Sequence, residues 1–319
     1  MPRMRFALLL PILAALLVPA GAQAGSKKIP IRVGISDQNV EMFDNPAYAE
    51  GGFRRVRYFI PWNAMSNKEQ RLKARAYVKR ARQEKQSVFL HLSTDDFRIK
   101  KGELPTPREY KRNASRMVRY FRKLGVRDFG VWNEANHASQ PTYRSPRRAS
   151  QYFKIMYREV KKRCKSCHVV ALDVLDQRGV ETYMKRFYKE LSSTWRKRAR
   201  TVGMHNYGDV NRKRTKYTRS MIRTAKRYNK RTDFWLTETG GIVNFGKSFP
   251  YSESRAKSRL STMFSLANKF RRSGVERLYI YNWKGAERDA RFDAGLTNPD
   301  GSPRAGLDYV IKKVKRYLK

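Results

Sequence analysis

Apolar residues along this chain follow two alternating periods. Short, nearly continuous apolar runs recur at 31–36, 53–62, 87–92, 129–131, 168–175, 201–207, 233–238 and 277–283. Between them lie amphipathic stretches of helical spacing at 68–83, 106–124, 145–160, 180–191, 217–228, 252–272 and from Ser302-Pro303 to about Leu318. The stretch at 106–124 shows the reasoning. Thr106 is an N-cap residue, Pro107 suits the first turn and Glu109 falls at the capping-box position. Tyr110, Ala114, Met117, Val118, Phe121 and Leu124 then share one face, and Gly125 ends the helix. Buried strands separated by helices predict a parallel sheet, and eight such units predict one closed (β/α)8 barrel. An open doubly wound sheet would place a glycine-rich phosphate turn after the first strand. Here that strand runs into Asp37-Gln38-Asn39, and no G-x-G-x-x-G or Walker sequence occurs.

The first 24 residues are of another kind. Arg3 and Arg5 precede an apolar stretch from Phe6 to Val18, and Ala22-Gln23-Ala24 has the form of a cleavage site. This predicts a secretory leader cut after Ala24, an exported protein, and a single (β/α)8 domain over 25–319. The apolar stretch is short of the ~20 residues a membrane span needs, so no stable insertion is expected after cleavage. Lys and Arg number 71 against 27 Asp and Glu, a net charge of +44, or +42 without Arg3 and Arg5. In an exported protein this charge points to acidic cell-surface polymers before nucleic acid. Because the cations are spread over nearly every helix, a solvated basic coat explains them equally well. No nucleic-acid partner is expected, and the chain is expected to act as a monomer.

In a barrel of this kind the chemistry sits at the C-terminal ends of the strands. The second strand holds Arg57 and ends at Trp62, and the other ends carry His91 (third), Asn133 and Glu134 (fourth), His205, Asn206 and Tyr207 (sixth), Glu238 (seventh), and Asn282 and Trp283 (eighth). A carboxylate where a buried strand meets its loop is costly unless it has partners or a task. Two of them on one rim is the arrangement needed for glycoside hydrolysis. Asp37 and Asp173 also stand near strand ends, but nothing in the sequence separates them from structural carboxylates. Rim loops offer Arg98, Lys100, Lys101, Arg144, Lys247, Lys284 and Arg288 as cations for an anionic polysaccharide.

This ordered set resembles the retaining glycoside hydrolases of clan A, with catalytic glutamates after strands four and seven. The likeness covers essentially the whole mature chain, and no family within the clan is assigned. It implies a retaining O-glycosidase acting on a carbohydrate, without metal or cofactor. Glu134 would be the acid and then the base, and Glu238 the nucleophile. Asn133 would contact the sugar 2-hydroxyl, while Arg57 and Tyr207 would keep Glu238 ionised, with a pKa below that of Glu134. Trp283 would form the floor under a sugar ring, and Trp62, His91 and His205 would shape the pocket. The alternatives are a sugar-binding barrel without catalysis and a polyanion-binding scaffold.

Cys164-Lys165-Ser166-Cys167-His168 has the C-x-x-C-H form of a haem attachment site. It joins a helix to the fifth strand, on the face of the barrel opposite the strand ends. A disulfide between the only two cysteines suits an oxidising compartment. Free thiols and attached haem are the alternatives.

Overall fold

The structure is a computed structural model describing residues 31–318; the expected leader at 1–24 lies outside the described residues. Eight parallel strands close into a barrel in sequence order: β1 Arg32–Ser36, β2 Arg55–Pro61, β3 Ser87–Ser93, β4 Asp128–Gly130, β5 His168–Leu175, β6 Thr201–His205, β7 Asp233–Thr239 and β8 Val275–Tyr281. The ring closes where β1 pairs with β8. The helices are α1 Pro46–Gly51, α2 Lys68–Gln83, α3 Pro107–Lys123, α4 Pro146–Arg163, α5 Val180–Lys189, α6 Ser193–Arg198, α7 Tyr207–Asn211, α8 Lys216–Tyr228, α9 Glu253–Phe270 and α10 Leu307–Leu318. The (β/α)8 expectation is met. Thr106 and Glu109 form the reciprocal capping box at the start of α3.

Two of the boundaries that differ from expectation have a local reason. The last helix starts at Leu307, not at Ser302-Pro303. Ser302 gives both its backbone N–H and its hydroxyl to Asp300, forming a turn, so its side chain caps nothing. The sixth strand stops at His205, and Tyr207 opens α7 instead of continuing the strand.

The barrel interior is layered. At its centre Phe89, Val170, Trp235 and Tyr279 pack together from β3, β5, β7 and β8. Beneath them, toward the N-terminal ends, the Arg277 guanidinium pairs with Asp128 at 2.5 Å and lies 3.6 Å from the Trp235 ring centre. Burial alone would raise the Asp128 carboxyl. The His168 hydrogen bond and the Arg277 charge overcome it and hold the carboxyl below its ordinary value. Above the aromatic layer the interior becomes polar again, and there the strand-end residues converge.

Cys164 and Cys167 are joined by a disulfide between α4 and β5. Closing so short a loop removes little unfolded-chain entropy, so Cys164→Ser/Cys167→Ser is expected to cost about 2 kcal/mol or less. Thermal unfolding of the oxidised, reduced and doubly substituted protein checks this. A larger loss, or intact masses showing free thiols or an added haem, contradicts it. Among the described residues no helix is long and apolar enough to cross a membrane.

Candidate active site

Arg57, at the middle of β2, is fully buried and organises the polar layer. Its Nη1 donates to Glu238 Oε2 at 2.7 Å and to Ser36 Oγ at 2.9 Å. Its Nη2 donates to Asn133 Oδ1, and its Nε donates to His91 Nδ1 at 3.3 Å. His91 is thereby kept as a neutral acceptor. Burial, with Arg57 beside it, pushes the imidazole down to about 3, against the opposing pull of Asp173. The Tyr207 hydroxyl, carried by α7, donates to Glu238 Oε1 at 3.2 Å. Asp176, just past β5, holds this helix by accepting from the Gly208 and Asp209 N–H groups at 2.8 and 2.6 Å.

Glu134 lies four residues beyond the end of β4, at φ +43°. A side-chain-bearing residue adopts this left-handed conformation only when its surroundings impose it. They do so here. Asn133 N donates to Leu92 O at 2.7 Å, Glu134 N to Asp173 Oδ1 at 3.0 Å, and Ala135 N to Asp173 O at 2.9 Å. Asp173 also accepts from Thr237 Oγ1 and lies, by Oδ1, 3.0 Å from His205 Nε2. The other ring nitrogen of His205 is 3.0 Å from Glu134 Oε1 and 3.9 Å from Glu238 Oε2. Gly203 makes room for this arrangement, because a Cβ there would collide with the Asp173 carboxylate.

The charges follow from these contacts. Burial works against protonated His205, but the Asp173 and Glu238 charges and the bonds to Asp173 and Glu134 push it up to about 10. Burial would raise Glu134, yet the His205 bond and charge hold its carboxyl below the ordinary value. Asp173 is held far below the usual carboxylate range, burial being outweighed by the charges of His205, His91 and Arg57. In the free protein these contacts favour the proton on His205 and the carboxylate form of Glu134. The sequence did not show the reason, which is a third carboxylate behind the histidine.

Glu134, His205 and Glu238 can each bring one ligating atom within 4.8 Å of the others, the spacing of a metal site. Their chemistry disfavours that use. Both His205 nitrogens already face carboxylates, and the Arg57 cation sits on Glu238.

A cleft of about 490 Å³ opens over the two glutamates, lined also by Tyr207, His137, Tyr281 and Phe292. Trp283, expected as its floor, is not there. The indole is buried edge-on against Tyr48 and Phe53, at ring separations of 5.0 and 6.3 Å. Asp37 fixes the turn by accepting from the Trp283 and Lys284 N–H groups at 2.8 and 3.0 Å. Tyr281, two residues earlier, lines the cleft instead. Trp62 is likewise buried outside the lining. His91 and Asn133 lie beneath the glutamates, bonded to Arg57. The seven rim cations are also absent from the lining, where the basic residues are Arg212 and Arg291. Arg98 pairs with Asp96 at 2.5 Å, and Arg288 stacks on Tyr251. Sequence reasoning left Asp173 undistinguished from structural carboxylates and missed Tyr281, Phe292 and His137, whose Nδ1 is 3.9 Å from Glu134 Oε2. His137 could have been noticed as the histidine three positions after Glu134. A larger hollow, about 760 Å³, opens on the opposite face around His168 and Trp235, far from the strand ends that carry this constellation.

Comparison with known proteins agrees with the barrel fold. By fold the chain is similar to a family 39 glycoside hydrolase from the gut symbiont Bacteroides cellulosilyticus WH2, with TM-score 0.62 and 15% identity over 92% of this chain. It spans 64% of that enzyme's length. A glucosidase from Croceicoccus marinus gives TM-score 0.70 and 13% identity, covering 91% of this chain and 68% of the other. A fungal β-1,4-galactanase gives 0.65 and 12%, covering 89% and 99%. A sequence comparison with curated proteins finds no match. The family described as glycosyl hydrolase catalytic core matches residues 112–308, from α3 through β8 to the start of α10. With that stretch spanning most of the barrel and both strand-end glutamates, the chain belongs to the glycosyl hydrolase catalytic core family.

Proposed function

We propose that this protein is an exported retaining glycosidase. Glu238 attacks the anomeric carbon, while Glu134 protonates the departing oxygen and then deprotonates the incoming water. The observation that carries this reading is the closeness of the two carboxylates, which reach within 4.8 Å of each other. That suits the ~5–5.5 Å of double displacement, whereas the ~6.5–9.5 Å of inverting enzymes leaves room for a water between the groups.

Each group has a physical reason for its role. Arg57 and Tyr207 hydrogen-bond the two oxygens of Glu238 and orient it. The acid proton is held on His205 Nδ1, 3.0 Å from Glu134 Oε1, and transfer along that bond arms Glu134 when substrate excludes water. As the bond from Glu238 to the sugar forms, the bond to the leaving oxygen breaks and that oxygen takes the proton. The negative charge on Glu238 is then gone, so Glu134 is held as a carboxylate, ready to act as base. Water attacks, its proton passes to Glu134, and the ester to Glu238 breaks. The leader expected over residues 1–24 and the disulfide support export.

The test is the anomeric configuration of the first product formed from aryl glycosides or polysaccharides, followed by NMR before mutarotation. Retention is expected. Initial formation of the opposite anomer overturns the double displacement. Sugar binding without turnover across a broad panel favours the non-catalytic alternative.

A further inference from the structure

Two loops at the cleft mouth share an unusual composition. The first, after β3, reads Phe97-Arg98-Ile99-Lys100-Lys101, and the second, after β7, reads Phe245-Gly246-Lys247-Ser248-Phe249. Phe97, Ile99 and Phe245 are 46%, 50% and 37% exposed, among the few large apolar side chains in solvent within the described residues. All three line the same cleft, and Leu104, also exposed, belongs to the first loop. Lys100, Lys101 and Lys247 are exposed beside them, and exposed Arg212 and Arg291 line the cleft as well.

We propose that this mouth docks on an anionic phospholipid surface, with the apolar tips entering the headgroup layer and the interleaved cations meeting lipid phosphates. Apolar tips flanked by lysines match both features of such a surface. A second copy of this chain does not fit the same face, because two molecules of charge +44 repel each other. A glycan fits it less well. Sugars are gripped by aromatic faces with a polar edge, chiefly Trp and Tyr; the exposed tips are Phe and Ile, whereas the lining tyrosines, Tyr207 and Tyr281, are not exposed. Trp62, Trp132, Trp235 and Trp283 are buried, and none of the five tryptophans lines the cleft. The proposal does not depend on the catalytic roles of the glutamates.

Sedimentation of the mature chain with vesicles tests it. Vesicles of phosphatidylcholine mixed with phosphatidylglycerol should bind at ~0.1 M salt, and phosphatidylcholine alone should not. Phe97→Ser/Ile99→Ser should weaken binding about tenfold through lost apolar burial. Lys100→Glu/Lys101→Glu should weaken it as well, with a smaller residual salt dependence. Leu72→Ser, an exposed apolar position on α2, should leave it unchanged. The proposal is overturned by an absence of vesicle binding, or by loop variants that bind vesicles like the parent. It is also overturned if the loop variants lose only retention on an acidic polysaccharide.

Discussion

Glu238→Ala is expected to lower turnover by about 10⁴-fold or more, because it removes the group that forms the covalent bond. Azide should restore part of the rate by occupying the vacated space, giving a glycosyl azide of inverted configuration. The variant should still fold. Arg57 would lose its 2.7 Å ion pair but keep Ser36 and Asn133 as acceptors. Stranding part of a buried charge has a cost, so the alanine variant should unfold at a lower temperature than the parent. Glu238→Gln keeps an acceptor near Arg57 and should recover much of that stability, yet remain as inactive as the alanine variant. The divergence separates chemistry from packing. Parental turnover by Glu238→Ala on a true substrate would remove Glu238 from the mechanism.

Asp173→Asn should reduce kcat by about 10²-fold or more while changing KM little, although this side chain does not line the cleft. It takes away the charge that contributes most to keeping His205 protonated, and with it the proton supply of Glu134. The alkaline limb of the pH–rate profile should therefore move to lower pH. Stability should respond too. His205 has a folded value of about 10 against an ordinary 6.5. Its contribution is complete below about 6.5 and is lost as pH rises through about 10. Glu134 and Asp173 are shifted the other way from 4.5 and 3.8, so their contribution is present above those values and lost as pH falls. In Asp173→Asn the alkaline decline should shift toward 6.5. An unchanged pH–rate profile would assign Asp173 a purely structural role.

Local periodicity in the sequence determined much of this molecule. Strands buried on both faces read as continuous apolar runs, and helices show one apolar face, so the order of units and the closed barrel were legible without coordinates. The same reading singled out Glu134, His205 and Glu238, because a polar residue where a buried strand gives way to its loop stands out from its neighbours; Arg57 was read on the second strand, and Tyr207 was read on the sixth strand although it opens α7. What only the tertiary structure decided depends on register and on the turns after the strands. Asp173 reads as one more strand-end carboxylate. Its grip on Glu134 and His205 comes from the pairing of β5 with its neighbours, together with the space left by Gly203. Trp283 reads as a pocket floor from its place on the eighth strand. The turn fixed by Asp37 sends it into the core and leaves Tyr281 facing the cleft. A side chain's type is local information, but its direction beyond a strand end is set by partners distant in sequence, such as Asp37 and Trp283, 246 positions apart.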